Sequence, residues 1–307
     1  MKNDNMFMPA PPVEYGKEDK FYYTISDSCV MCGRCIAECP VNAVIECGGA
    51  VRIDTETCID CGICSAVCPA GAAQRVPFVR ESIAADEIDI EKCFFNAGCA
   101  LNLYKPDTAS GMLDFLRENF GDVRPHNICC RHDPELPAGA VIINNCAGCD
   151  RRFRSLYSGI DTISFWEVAD SIEGIRLPDY GGIIMSVHDS CVYRHKPQVH
   201  KAVRSLLKKM NIEIIEAEFH GTESVCCGDN CFGHVSNAEV SARIAMRAAG
   251  FPCDNVVVYC IGCERAMGEA GKIPYYLPDL LLGKSGRHNT DSLVEYHDKL
   301  DLYIESH

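Results

Sequence analysis

The stretches CVMCGRCIAECP at residues 29–40 and CIDCGICSAVCP at residues 58–69 share one cysteine spacing. In each, three cysteines stand three positions apart, and a fourth follows four positions later with a proline directly after it. The second stretch repeats the first at an offset of 29 residues, including the glycine after the second cysteine. Thiolates clustered at this spacing are typical ligands of iron–sulfur clusters. The sequence therefore predicts a duplicated 4Fe-4S segment.

This spacing resembles that of two-cluster bacterial ferredoxins, in which the fourth cysteine of each run binds the cluster of the other run. The resemblance implies two cubane 4Fe-4S clusters whose ligand sets cross between the runs. The first set is Cys29, Cys32, Cys35 and Cys68. The second set is Cys58, Cys61, Cys64 and Cys39. Zinc is disfavoured, because structural zinc sites take four ligands, usually from two separated pairs, and do not need proline-terminated runs.

The rest of the chain alternates between helical and strand-like patterns, which predicts a parallel α/β layer beside the smaller α+β ferredoxin-like part. The predicted helices are Ser110–Phe120, Gln198–Met210, Asn237–Ala249 and Ser292–Ile304, and the predicted strands are Val141–Ile143, Ile183–Val187, Ile212–Ile215 and Val256–Tyr259. The predicted segments are an arm (1–25), a ferredoxin-like domain (26–78), a charged linker (79–92), lobe 1 (93–180), lobe 2 (181–285) and a C-terminal helix (286–307).

A second duplication of cysteines relates the two lobes. Each has a single cysteine, an adjacent pair and then a C-x2-C motif after a strand-like run. The lobe 1 set is Cys99, Cys129, Cys130, Cys146 and Cys149, and the lobe 2 set is Cys191, Cys226, Cys227, Cys260 and Cys263. Each C-x2-C is expected at the carboxyl end of a strand and the start of a helix, where backbone N–H groups favour thiolates and anionic clusters. The pattern predicts two related, pseudo-symmetric lobes.

These sets resemble the cysteine-rich CCG domain of heterodisulfide reductase catalytic subunits, which also occurs in iron–sulfur subunits of glycolate, lactate and glycerol-3-phosphate dehydrogenases. Lobe 2 matches best, with the sequence HDSC at 188–191 and CCG at 226–228. The resemblance implies a noncubane 4Fe-4S cluster on the lobe 2 set, catalysing two-electron disulfide and thiol chemistry. It also implies a further 4Fe-4S cluster, of noncubane or cubane type, on the lobe 1 set.

Lobe 1 departs from this pattern, because its segment between the cysteine pair and the C-x2-C is about 17 residues shorter and Arg131 replaces the glycine. We therefore expect the helix equivalent to Asn237–Ala249 to be missing there, which leaves the cluster exposed, altered or open to a partner. Four cysteines remain unassigned and are expected to pack in the interior; Cys231 has the alternative of a spare ligand or redox thiol. These four are Cys47, Cys93, Cys231 and Cys253.

Several side chains near the sets have both a functional and a structural interpretation. His188 and His234 flank the lobe 2 set; either could donate a proton when a disulfide is cleaved, or serve as a hydrogen-bonded structural histidine. His188 is our candidate catalytic histidine. Four cations could offset cluster charge or simply lie at solvated helix starts. They are Lys105, Lys196, Arg151 and Arg265.

Composition excludes several classes of protein. The chain has 307 residues, 22 cysteines and a formal charge of −14, without a clustered basic run, so we expect no nucleic-acid partner. Residues 1–20 are polar and contain no apolar core of a signal peptide, and no apolar run is long enough to span a bilayer. A cysteine-rich chain of this kind is expected to be cytoplasmic and anaerobic, with thiolate–metal sites rather than disulfides.

Two functions remain open at this point. In the first, the ferredoxin-like domain relays single electrons to the lobes, where a disulfide or thiol substrate reacts. In the second, the chain is purely an electron-transfer subunit that couples a flavin-dependent dehydrogenase to a quinone or ferredoxin pool. No nucleotide-binding or covalent-haem motif is present, so both functions imply redox partners such as a flavoprotein, a ferredoxin or a dehydrogenase.

Overall fold

The computed structural model describes most of the chain. The described residues are 21–26, 28–40, 42–47, 49–54, 63–77, 81–157, 159–193, 196–229, 232–233, 236–284 and 288–307. Cys58, Cys61, Cys231, His234 and residues 1–20 of the expected arm lie outside them. Within the described part, no helix is long and apolar enough to cross a membrane.

The ferredoxin-like segment consists of two antiparallel strand pairs and two short helices. Its elements are β1 (Phe21–Ile25), α1 (Arg34–Ala37), β2 (Val44–Cys47), β3 (Ala50–Ile53), α2 (Ile63–Val67) and β4 (Ala73–Pro77). Strand β1 pairs with β4, and β2 pairs with β3. The boundary expected at residue 26 is therefore too late, because the aromatic and β-branched run 21–25 forms a strand of this domain rather than part of an arm.

Lobe 1 contains a four-stranded parallel sheet. Its elements are β5 (Cys93–Asn96), α3 (Cys99–Tyr104), α4 (Pro106–Asn119), β6 (Arg124–Pro125), β7 (Ala140–Asn144), α5 (Ala147–Leu156), β8 (Ile160–Ser164) and α6 (Phe165–Ser171). The strand order is β6-β5-β7-β8. Helix α4 begins four residues before the predicted start, at Pro106, a residue that suits the first position of a helix. The prediction began later because the residues directly after Pro106 are polar and show no apolar periodicity. Between Cys130 and β7 there is no helix, as expected.

Lobe 2 repeats this strand order. Its elements, with the C-terminal helix, are β9 (Ile183–His188), α7 (Pro197–Lys209), β10 (Ile212–Ile214), α8 (Asn237–Ala249), β11 (Asn255–Val258), α9 (Ile261–Glu269), β12 (Ile273–Tyr276), α10 (Leu277–Leu281) and α11 (Leu293–Ser306). The order is β10-β9-β11-β12, again all parallel. In both sheets the first and third strands along the chain are therefore neighbours. Their carboxyl ends lie side by side at the topological switch point, where the strand order reverses.

The chain divides into two compact units that do not follow sequence order. The lobe-1 unit contains the described residues within 81–172 and 297–307. The lobe-2 unit contains those within 21–77 and 173–296, so the ferredoxin-like segment belongs with lobe 2. Within the expected charged linker, residues 85–87 and 90–92 form short 3-10 helices, and the Ile83 N–H donates to the carbonyl of Thr162 at 3.2 Å.

Candidate metal centres

Three cysteines of the first run lie with the last cysteine of the second run. Burial, together with the neighbouring sulfurs of Cys29, Cys68 and Cys32, raises the pKa of the Cys35 thiol to about 11. Two sulfurs also accept backbone hydrogen bonds, from Met31 to Cys29 at 3.4 Å and from Ala72 to Cys68 at 3.1 Å. Burial also raises the pKa of the Cys29 thiol. Crowded thiols that hold their protons in this way are suited to a cation that replaces the protons.

The second expected cubane set is only partly described. Cys39 and Cys64 belong to the same apolar core as Cys35, together with Val44, Val51 and Ala73. Their two partner ligands, Cys58 and Cys61, lie outside the described residues. In this described half, Cys64 is buried and Cys39 is partly buried.

All five lobe 1 cysteines are linked through their sulfur atoms. Hydrogen bonds join Cys99 to Cys129, Cys129 to Cys130, Cys130 to Cys149 and Cys149 to Cys146. Cys99 follows β5 and Cys146 follows the neighbouring β7, so the parallel strands bring them to one edge of the sheet. A Cβ atom on Gly98, which has a φ of +86°, would lie 2.7 Å from Cys146 Cβ. Glycine is therefore required for this close approach.

The proton affinities of these thiols differ because they share protons. Hydrogen bonds from Cys130 and Cys99 lower the pKa of Cys129 to about 2. The bond between Cys129 and Cys130 raises the pKa of its other partner, Cys130, to about 12. Hydrogen bonds from the Cys149 thiol and from the backbone N–H groups of Cys149 and Gly148 lower the pKa of Cys146 to about 7, because they outweigh burial, which raises it. Some sulfurs are thus thiolates that their protonated neighbours stabilise, and metal binding here would release protons.

The C-terminal helix covers the shortened part of lobe 1. The Cys129 N–H donates to the carbonyl of His307 at 3.1 Å, and the His132 ring lies 2.8 Å from the carbonyl of Ile304. Burial raises the pKa of Tyr303, and the sulfurs of Cys99 and Cys129 raise it further. The last turns of α11 therefore lie beside the lobe 1 thiols.

Four of the five lobe 2 cysteines are also linked through sulfur. Cys226 contacts Cys227, Cys227 contacts Cys263 with 3.5 Å between the sulfurs, and Cys263 contacts Cys260. Cys191 is buried in a 3-10 helix that follows β9 by two residues. Cys146 and Cys260 are both N-cap residues of helices that follow the third strand of their sheets. The predicted placement of each C-x2-C motif is confirmed.

His188 lies beside these thiols. One of its ring nitrogens and the sulfurs of Cys227 and Cys263 all lie within 4.8 Å of one another. Its Nδ1 accepts from the Arg247 guanidinium at 3.3 Å, so the ring proton is on Nε2, which has no hydrogen-bond partner among the described residues. Burial, together with the charge of Arg247, lowers the pKa of His188 to about 3. The histidine is therefore an uncharged hydrogen-bond donor at neutral pH.

Asp189 is a hub that sequence reasoning missed. Its buried carboxylate accepts from Arg204 at 2.7 and 2.8 Å, from the Tyr259 hydroxyl at 2.9 Å and from the Gly221 N–H at 2.6 Å. His200 Nδ1 lies 3.1 Å away. Burial opposes ionisation, but the hydrogen bonds from His200 and Arg204 outweigh it and hold the pKa of Asp189 below its usual range. The carboxylate thus ties the segment that carries Cys191 to residues distant in sequence.

Helix α8 carries two arginines one turn apart, which sequence reasoning also missed. The Arg243 guanidinium donates to the Val30 carbonyl at 2.8 Å and lowers the pKa of Cys29, although burial raises it overall. Arg247 donates to the Phe219 carbonyl at 2.9 Å and contacts His188. All these residues belong to the lobe-2 unit. One face of α8 therefore connects the Cys29 loop with the lobe 2 thiols.

The remaining candidate cations and the unassigned Cys93 differ in burial. Arg265 is buried and bonded to Asp229 at 2.6 Å, so it serves an internal ion pair. Lys196 is buried above the Tyr193 ring, and Arg151 is exposed. Cys93 is fully buried, which confirms its packing role.

Comparison with known families identifies one part of the chain. Residues 22–45 and 51–74 each match the family of 4Fe-4S binding domains. No curated protein matches the chain. The chain therefore contains a ferredoxin-like iron–sulfur domain, and together with its many cysteines this supports an iron–sulfur electron-transfer role.

Proposed function

We propose that this chain is the iron–sulfur subunit of a heterodisulfide reductase-like oxidoreductase, which reduces a disulfide at lobe 2. The observation that carries the proposal is the convergence of the CCG pair and the C-x2-C motif. Their sulfurs meet through the 3.5 Å contact of Cys227 with Cys263, beside the adjacent ends of β9 and β11. Open α/β sheets typically bind ligands at such a point.

The residues fit the proposed clusters. Sulfur contacts and burial raise the pKa of Cys227 and Cys263 well above the usual range, so the buried set cannot be fully ionised without added positive charge. Iron would supply that charge. The lobe 2 set would hold a noncubane cluster, the lobe 1 set a further 4Fe-4S cluster, and the two crossing sets of the ferredoxin-like domain two cubanes. When bound, the noncubane cluster would supply electron transfer to substrate sulfur.

The chain's own residues would prepare this site in three ways. The His188 ring lies beside the sulfurs of Cys227 and Cys263, and its Nε2–H would offer a neutral hydrogen-bond donor at the site. The Gly228 N–H donates to Cys226 Sγ at 3.4 Å, and hydrogen bonds to sulfur tune iron–sulfur centres. Cys226 and Cys260 are partly exposed whereas Cys191, Cys227 and Cys263 are buried, so substrate would approach from the side of the first two.

One observation favours the alternative of a pure electron relay. Three of the five lobe 2 thiols are buried, and burial protects a relay centre from side reactions. In that case the chain would connect a flavin-dependent dehydrogenase to a quinone or ferredoxin pool. In both functions a flavoprotein, ferredoxin or dehydrogenase partner would exchange electrons with the ferredoxin-like domain.

An activity assay separates the two functions. Anaerobically purified protein is mixed with reduced viologen and a small disulfide, and viologen oxidation is followed by absorbance. We expect disulfide-dependent oxidation, its loss in Cys227→Ser and its retention in Cys253→Ser, since Cys253 belongs to neither set. Electron transfer that requires a dehydrogenase partner, with no response to any disulfide, would support the relay and contradict the reductase.

A further inference from the structure

A cavity of about 540 Å³ lies within the lobe-2 unit, between the first cysteine run and the CCG pair. Cys29 and Met31 line it on one side, and Cys226 and Phe219 line it on the other. Its volume falls in the range of small-molecule sites, about 300–1,000 Å³. None of Cys32, Cys35, Cys68, Cys227, Cys260 or Cys263 lines it. The space is therefore distinct from the volumes that the sulfur sets themselves enclose.

The cavity is mainly apolar, but Arg247 contributes a buried charge. This side chain is only 7% exposed, and its Nε has no hydrogen-bond acceptor. Within the described residues no carboxylate pairs with it, since Glu239 is bonded to Arg243 at 2.8 Å and the other two lining carboxylates, Glu46 and Glu218, are exposed. Burial lowers the pKa of the Arg247 guanidinium, although Cys227, Asp189 and other lobe 2 sulfurs favour its charged form. A buried cation of this kind is expected to have an anionic partner.

We propose that this cavity is the substrate site, and that it binds an aliphatic disulfide carrying a terminal carboxylate. This inference rests on the proposed reductase function. The apolar walls take the aliphatic chain, Arg247 binds the carboxylate, and the sulfur atoms lie next to Cys226. In the overall reaction the S–S bond accepts two electrons and two protons and yields two thiols. The electrons come from a one-electron reductant, reduced viologen in the assay, and the protons come from solvent.

The position of Ala242 allows a direct test. Ala242 is exposed on α8 and lines the cavity, whereas Ala245 is exposed on the same helix and does not line it. Ala242→Phe would fill part of the cavity, and Ala245→Phe is the matched control. Binding of 4,4′-dithiodibutyrate and of the cationic disulfide cystamine to the oxidised, cluster-loaded protein is measured by isothermal titration calorimetry under argon in 150 mM salt.

We expect dithiodibutyrate to bind at least tenfold more tightly than cystamine. Ala242→Phe should weaken dithiodibutyrate binding at least tenfold at unchanged iron content, and Ala245→Phe should leave it within twofold. In Arg247→Met the preference for dithiodibutyrate over cystamine should disappear. Equal binding of both disulfides to the wild type, or dithiodibutyrate binding that Ala242→Phe leaves unchanged, would overturn the assignment of this cavity.

The same variants separate this inference from the proposed function. If the viologen assay shows disulfide reduction and Ala242→Phe reduces the disulfide as fast as the wild type, the cavity assignment is wrong and the reductase function stands. If dithiodibutyrate binds as expected but no disulfide oxidises viologen, the cavity assignment stands and the reductase function is wrong.

Discussion

Replacement of Asp189 by alanine tests whether the buried hub holds lobe 2 together. The variant removes the acceptor for Arg204, Tyr259 and the Gly221 N–H, while Arg204 keeps its contacts with Glu216 at 2.8 and 2.9 Å. Breaking a buried ion pair costs about 3–5 kcal/mol, and each donor left without an acceptor costs about 1–3 kcal/mol. Because the retained Glu216 contacts offset part of this cost, we expect the free energy of unfolding to fall by about 4 kcal/mol.

The measurement is anaerobic urea unfolding followed by circular dichroism. With a urea slope of about 1–3 kcal/mol per molar, a loss of this size shifts the midpoint by at least about 1 M. Asp254→Ala is the matched control, because Asp254 pairs with Lys272 at 3.2 Å but its side chain is 85% exposed. An exposed pair contributes at most about 1 kcal/mol. Equal midpoints for the two variants would refute the role of Asp189 as a structural hub.

Three further predictions concern the iron sites. Cys68→Ser should lower the iron content by about four atoms per chain, the content of one cubane, whereas Cys253→Ser should not change it; equal iron in both variants would contradict the crossing ligand set. Gly228→Ala should destabilise lobe 2 by about 3 kcal/mol in urea, because a Cβ at its φ of +105° lies 2.9 Å from the Ile244 backbone nitrogen. Gly174→Ala, which also has a positive φ but no atom within 4 Å of a Cβ, should cost only about 1 kcal/mol, and an equal cost would show that the contact is unimportant. Arg243→Gln should make the reduction potential of the nearby cubane more negative in an EPR-monitored titration, because a cation near Cys29 stabilises the reduced cluster; Arg243→Lys should retain the potential, and a shift common to both variants would contradict this electrostatic role.

Local sequence signals predicted some elements well. Helix α8 has its predicted bounds, Asn237–Ala249, because Ser236 caps its first turn by accepting from the Glu239 N–H and Gly250 follows its last residue. The strands that precede the two C-x2-C motifs were also predicted, since they are short β-branched runs. Helix α4 was predicted too short, because its first turn is polar and only Pro106 indicates the start.

The candidate metal centres were only partly predictable from the sequence, because some of their contacts join residues far apart in the chain. Cysteine spacing is a local pattern, and it identified the sulfur sets. The contacts of Asp189 with Gly221 and Tyr259 join residues 32 and 70 positions apart, and no periodicity indicates them. The same holds for Arg247, because the sequence shows it only as one of two arginines on an amphipathic helix, whereas the fold places it against His188. Such convergent contacts follow from tertiary packing rather than from local propensity.

The central claim, that lobe 2 is a site open to substrate sulfur, is tested most directly by EPR spectroscopy. The protein is purified without oxygen, oxidised mildly and titrated with a small thiol such as 4-mercaptobutyrate. The account predicts a paramagnetic signal that appears or shifts with thiol, and that Cys227→Ser lacks. Ordinary cubane signals on reduction, with no response to thiol on oxidation, would contradict the account and leave the lobes as a relay.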